Sequence, residues 1–265
     1  MADITASMVK ELREATGIGM GDCRKALIEA DGDIQLAKDN LRARGLAKAE
    51  KKAGRATKEG RLAINITDTE ATIIEVLCET DFCSRNEGFV KMVDNVLTMA
   101  VAQPVGEIQA TDEMTAAVQE AFATIGENMK FARGVKIQGT CIGNYIHHNN
   151  KVAVIVALDK EAPADAVAGL CQHITFSNPI GIIAEDIPAE LIEKEKEIAI
   201  QQAVEQGKPQ EIAEKMVVGK IRKFVADNAL MEQKFIRDES QTIKQMLGGA
   251  TVTAFARYAV GDTSE

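Results

Sequence analysis

Side chains able to do covalent chemistry are few in this chain, and they are widely spaced. Asp81, Cys83 and His147 could be drawn together as an acid, a thiol nucleophile and a base. Nothing in their spacing joins them, and neither a glycine-rich phosphate loop nor a metal motif accompanies them. The five cysteines (Cys23, Cys78, Cys83, Cys141 and Cys171) form no C-x-x-C pair, and the three histidines (His147, His148 and His173) show no ligand spacing. The expectation is a protein with no catalytic residues, no metal and no cofactor, its thiols reduced in a cytoplasm. The informative stretch is non-covalent in character: Cys78-Glu79-Thr80-Asp81-Phe82-Cys83-Ser84-Arg85-Asn86. An apolar run, Ile73 to Leu77, reads as a strand before it, and a helical pattern opens at Gly88 after it. An Asp-Phe pair therefore sits on a strand-to-helix turn, where side chains project from a rigid support. A phenylalanine at such a tip is either an apolar group offered to another molecule or one that folds back onto its own helix, against Phe89.

The elements that must hold this turn follow from composition and periodicity. With 265 residues, 46% of them hydrophobic and 27% charged, the chain is long enough for about two domains. It has no Trp, two Tyr and a formal net charge of -9, which argues against base stacking and against a general binder of phosphate backbones. No apolar run is long enough for a membrane span, and Met-Ala-Asp-Ile-Thr does not open like a secretory signal, so the expected location is cytoplasmic.

The fold class read from the pattern is α+β. Residues 1–46 form a small three-helix unit, with Thr5 capping the first helix, Thr16-Gly17-Ile18-Gly19 separating the first two, Asp31-Gly32-Asp33 the next, and Gly45 closing the third. Residues 47–60 read as a basic, flexible linker, part of a run holding Arg42, Arg44, Lys48, Lys51, Lys52, Arg55, Lys58 and Arg61. Its alternative role is contact with ribosomal RNA. Period-two alternation from Leu62 to Ile66, a Thr-Asp-Thr-Glu turn and a strand over 71–77 make a hairpin. Helices over 87–102 and 112–127 follow, then a strand from Val135 to Ile142. A weak repeat comes next: Tyr145 to His148, the turn signal Asn149-Asn150, a strand over 151–158 and a helix ending before Pro179. Two similar half-domains with small antiparallel sheets, 61–140 and 141–182 with 228–265, fit this duplication. Residues 183–227 read as an inserted antiparallel helical hairpin that protrudes.

Several motifs stand in a fixed order: Val9-Lys10-Glu11-Leu12-Arg13-Glu14-Ala15-Thr16-Gly17, Gly19-Met20-Gly21-Asp22-Cys23-Arg24-Lys25-Ala26-Leu27, Thr80-Asp81-Phe82, Ile125-Gly126-Glu127-Asn128, and Gly207-Lys208-Pro209 followed by Ile212-Ala213-Glu214-Lys215-Met216. Together they resemble the elongation factor Ts family over nearly the whole chain. The resemblance implies a ubiquitin-associated-like fold for the first three helices, a two-part core and a coiled-coil arm through which two copies, or a partner, associate. It implies a guanine-nucleotide exchanger that binds elongation factor Tu in its GDP-bound and nucleotide-free states during translation elongation, with no chemistry of its own. Thr80, Asp81, Phe82 and Cys83 would then disturb the partner's Mg²⁺ site. Arg13, Met20, Gly21 and His147 would supply further contacts. For Met20 the alternative is packing on the small core, for Arg13 simple solvation, and for His147 an ordinary turn. His148 has no matching role. Three departures from the family pattern stand out: Cys83-Ser84-Arg85 in place of Val-Ala-Lys or Val-Ala-Arg, Lys234 in place of a Pro, and an end at Glu265 where some members continue into a helix that touches the partner. An RNA-associated binding protein without exchange activity is the competing reading, and a ubiquitin-like adaptor would leave most of the chain unexplained.

Overall fold

The computed structural model describes residues 3–207 and 209–262, with only the backbone of Gln210 and Ala213. Lys208 of the Gly-Lys-Pro motif and residues 263–265 lie outside the described residues. Three helices open the chain: α1 (Ala6–Thr16), α2 (Met20–Glu29) and α3 (Ile34–Lys52). The Thr5 hydroxyl accepts the Met8 N–H at 3.3 Å, and the Asp33 carboxylate accepts the Leu36 N–H at 3.0 Å, so side-chain oxygens cap α1 and α3. Gly17, at φ 68°, ends α1 by donating to the Arg13 carbonyl. Leu12, Cys23, Ala26, Leu27 and Ala37 close the small core.

Here the structure departs from the sequence reading. Gly45 does not end α3; the helix runs on to Lys52, so the first six residues of the expected 47–60 linker are helical. The cause is packing. A Cβ on Gly45 would stand 2.8 Å from the Cβ of Ala123, so the glycine is where α3 meets the helix over Asp112–Ile125.

The remaining elements form layers. The first sheet has the order β1-β2-β4-β3, from β1 (Glu59–Ile66), β2 (Glu70–Cys78), β3 (Gly106–Glu107) and β4 (Met129–Gln138). Helices α4 (Asp81–Arg85), α5 (Glu87–Val101) and α6 (Asp112–Ile125) belong to this half, and Phe89, Val93, Val96, Met114 and Phe122 fill the core with Ile74 and Val76 of β2. The second sheet, β5-β6-β9, comes from β5 (Cys141–Ile146), β6 (Val152–Leu158) and β9 (Val252–Ala259), with α7 (Ala164–Ser177) on its outer face. Leu62, Ile73, Ile137, Ala153 and Ile155 form a separate core between the two sheets. The strand expected over 135–142 is therefore two strands of different sheets. The chain crosses at Gly139, where a Cβ would meet Ala157 at 2.8 Å.

Helices α8 (Ala189–Glu205) and α9 (Gln210–Asn228) form the antiparallel arm. Its seam is thin: Ala199, Ala203 and Val217 are buried, whereas Val204 and Val218 are exposed. A two-stranded ribbon, β7 (Lys234–Phe235) and β8 (Asp238–Thr242), and the short α10 (Ile243–Met246) return the chain to β9. No helix among the described residues is long and apolar enough to cross a membrane.

One ion pair locks the two sheets together. Glu75 of β2 is fully buried. Its carboxylate accepts Arg133 Nε of β4 at 2.6 Å and the Gly261 N–H at 2.8 Å, while Arg133 Nη2 donates to the Ala259 carbonyl at 3.2 Å. The guanidinium also lies 4.2 Å from the Tyr258 ring centroid, and burial pushes the Tyr258 hydroxyl up to about 12. Truncating one partner leaves the other charge uncompensated. Glu75→Ala is expected to cost about 3–5 kcal/mol in urea denaturation, with Glu75→Gln distinctly milder.

Candidate functional site

The Asp-Phe turn is built on the far end of the first sheet. Cys78, the last residue of β2, pairs with Met129, the first of β4. Immediately beyond, the two segments exchange hydrogen bonds. The Glu79 carboxylate accepts the Asn128 N–H at 2.6 Å, and the Glu127 carboxylate accepts the Thr80 N–H at 3.0 Å and its hydroxyl at 2.7 Å. The Thr80 hydroxyl oxygen in turn accepts the Cys83 N–H at 3.2 Å, which caps α4. Asn86 closes the far end by donating its N–H to the Cys83 carbonyl and capping α5 with its side chain. A helix of this length has no stability alone, so these capping contacts set where it sits.

The expected turn is thus a single turn of helix, and it sorts its side chains. Cys83 and Ser84 point inward and are buried. Phe82 points outward and is 82% exposed, whereas Phe89 is wholly buried in the core without it. Asp81 pairs with Arg85 at 3.2 Å, both partly in solvent, where such a pair is weak. A hydrogen bond with the Cys78 thiol, together with burial, pushes the Cys83 thiol far above the ordinary range. It stays protonated at neutral pH and is no nucleophile. Its place is structural: a small, soft side chain under α4.

His147 follows β5. Its N–H bonds to the Val152 carbonyl at 2.9 Å, and its Nδ1 lies 2.8 Å from the Tyr145 hydroxyl. Asn150, at φ 55°, completes the turn, and its carbonyl accepts the Leu62 N–H at 3.0 Å, which pins the turn to β1. As a result Ser84 and Arg85 of α4 face His148 and Asn149 across one cleft of about 310 Å³. Neither Thr80–Cys83 nor His147 lines this cleft; its walls come from their chain neighbours, Ser84 and Arg85 on one side and His148 and Asn149 on the other.

Arg13, Met20 and Gly21 lie apart, on the three-helix unit. Met20 opens α2 and is 50% exposed, Gly21 has open space around it, and Arg13 is exposed on the last turn of α1. The end of α6 links the two groups. The Thr124 hydroxyl donates to the Thr16 carbonyl of the three-helix unit at 3.5 Å, and three residues later Glu127 holds Thr80. Lys52 at the end of α3 donates to the Gly126 carbonyl at 2.6 Å, fixing the same junction. Glu127 stands in the Ile125-Gly126-Glu127-Asn128 motif, which by itself assigns it no role. A glycine followed by an acid and an amide directly after a helix was the available signal. Phe176, at the end of α7, is a second exposed phenylalanine, 81% open to solvent.

Comparison with known proteins adds to this geometry. A family model described as elongation factor TS matches residues 79–262. Across its whole length the chain is 44% identical to elongation factor Ts of Photobacterium profundum, covering 94% of that relative. It is 42% identical, with the same coverage, to elongation factor Ts of Enterobacter sp. (strain 638) and of Pasteurella multocida.

The exchange at the sheet end makes two predictions. Glu127→Ala removes the acceptor of two Thr80 donors and is expected to speed hydrogen exchange at the Cys83 and Ser84 amides about ten- to a hundred-fold, as measured by NMR. Glu79 is held below its usual range, first by the Asn128 N–H and then by Arg55, against the opposing effect of burial. A depressed carboxylate stabilises the fold above its unfolded pKa and loses that contribution as pH falls through its folded value. Glu79→Gln should therefore be less stable than the parent at neutral pH. The two should converge in acid when unfolding is followed as a function of pH.

Proposed function

The chain belongs to the elongation factor Ts family, and on that premise we propose that it is a guanine-nucleotide exchange factor acting on elongation factor Tu. It binds the GDP-bound partner, disturbs the partner's Mg²⁺ and phosphate site through Thr80 to Cys83, and holds the nucleotide-free state until GTP enters. The observation that carries this reading is the exposure of Phe82 on a helical turn anchored from both ends.

Exchange of this kind requires no bond-making. It requires tighter binding to the empty partner than to the loaded one, and linkage makes the effect reciprocal: whatever factor the exchanger takes from nucleotide affinity, the nucleotide takes from the exchanger's. Tight GDP binding rests on backbone amides around the phosphates and on the metal. An apolar ring entering between the helices that order those groups loosens both. Transferring Phe82 from water to such a pocket supplies about 1.5–3 kcal/mol. Asp81, beside it and partly exposed, offers an acceptor for groups displaced from the metal side. His147, just after β5, and Arg13, Met20 and Gly21 on the three-helix unit, provide flanking contacts that fix the orientation of the wedge. The helical arm serves association with a second copy or with the partner.

Stopped-flow release of a fluorescent GDP analogue from elongation factor Tu tests the reading. Phe82→Ala should slow release by about one to two powers of ten while leaving the unfolding midpoint of the free protein unchanged, because the ring has few contacts to lose. Unaltered release would remove Phe82 from the mechanism.

A further inference from the structure

The basic residues read as a solvated linker are arranged on a rigid face. Because α3 continues to Lys52, Arg44, Lys48 and Lys52 fall four residues apart on one side of it. They line a cleft of about 540 Å³ between the three-helix unit and α6, and Lys25 of α2 lines it from across the gap. Asp22 is the only acid in the lining. Arg44 is paired with Glu29, and Lys52 is committed to the Gly126 carbonyl. Lys25 and Lys48 have no carboxylate or carbonyl partner among the described residues. Convergent cations in a walled cleft repel one another and focus a positive field, in a chain whose net charge is -9.

The geometry points to a binding site for a phosphate chain, such as that of a nucleoside polyphosphate, held by Lys25 and Lys48 with Arg44 as a third donor. The cleft volume lies within the range of small-ligand pockets. Two ammonium groups from separate helices and a guanidinium fork suit a compact, multiply charged anion. Ile18 and Ala123 supply an apolar wall on which a base could lie. A long nucleic-acid strand is disfavoured by the chain's formal net charge of -9. The site is separate from Phe82, so it stands or falls independently of the exchange reading.

Isothermal titration of the full chain at low salt, with inorganic tripolyphosphate, GTP and ATP as probes, tests this. Single-site binding is expected, weakened about ten-fold or more in the double variant Lys25→Gln/Lys48→Gln, with the fold intact by circular dichroism. The matched surface variant Lys10→Gln/Lys215→Gln should bind as the parent does. Tighter binding of the nucleotides than of tripolyphosphate assigns a nucleoside source, and equal binding assigns the inorganic chain. Absence of binding, equal loss in both double variants, or tighter binding of a single-stranded RNA oligonucleotide overturns the site.

Discussion

The exchange of hydrogen bonds between residues 79–80 and 127–128 is the constraint on which the candidate site depends. Each of two carboxylates accepts a backbone N–H from the opposite segment, at the end of the sheet where β2 and β4 have just ceased to pair. Charge-assisted bonds of this kind contribute about 1.5–3 kcal/mol each, more than neutral ones. They also use backbone donors that the end of the sheet would leave to water. Thr80 links this exchange to α4, because one hydroxyl both donates to Glu127 and caps the helix. The direction in which Phe82 points is thus set by an acid that is distant in sequence and adjacent only in the fold.

The same junction governs the three-helix unit. A core this small is marginal by itself, and α3 compensates by extending past it to dock on α6. Gly45 permits the close approach to Ala123, and Lys52 closes the contact on the Gly126 carbonyl. Arg13, Met20 and Gly21 on one side and Asp81 and Phe82 on the other are therefore mounted on a continuous path through α6. A partner engaging both groups would meet a preset spacing, which lowers the ordering cost of association.

Much of this architecture was legible in the residues because the signals are local. Thr5 as a cap, Gly17 as a helix end, Asn149-Asn150 as a turn and the strand from Leu62 to Ile66 each act over a few residues, and each appears at its place. The failures came where long-range packing overrode a local rule. Gly45 signals a helix end, yet it is there for a neighbouring helix. The run from Val135 to Ile142 has apolar residues on both sides of Gly139, and nothing in it announces that Gly139 passes between two sheets. At the site, the exposed Phe could be suspected from its turn, but Glu127 could not be paired with Thr80 without knowing that β2 and β4 are neighbours.

The departure at Cys83 can be judged on the same physical grounds. The family pattern places Val after the Phe, and this chain places a thiol there. The position faces inward beneath α4, against Cys78, and needs a small apolar group. A protonated, buried cysteine meets that need without altering the cap, because Thr80 receives the backbone N–H of residue 83 whatever its side chain. The exposed face, which would meet a partner, is carried by Asp81 and Phe82 and is untouched. On the exchange function proposed above, a wedge that works by differential affinity would have to be stiffer than the pocket it enters, since otherwise the wedge, and not the partner's metal site, would yield. The turn is held by backbone donors and two acids, so drift in its buried residue leaves the exposed Asp81 and Phe82 where they are.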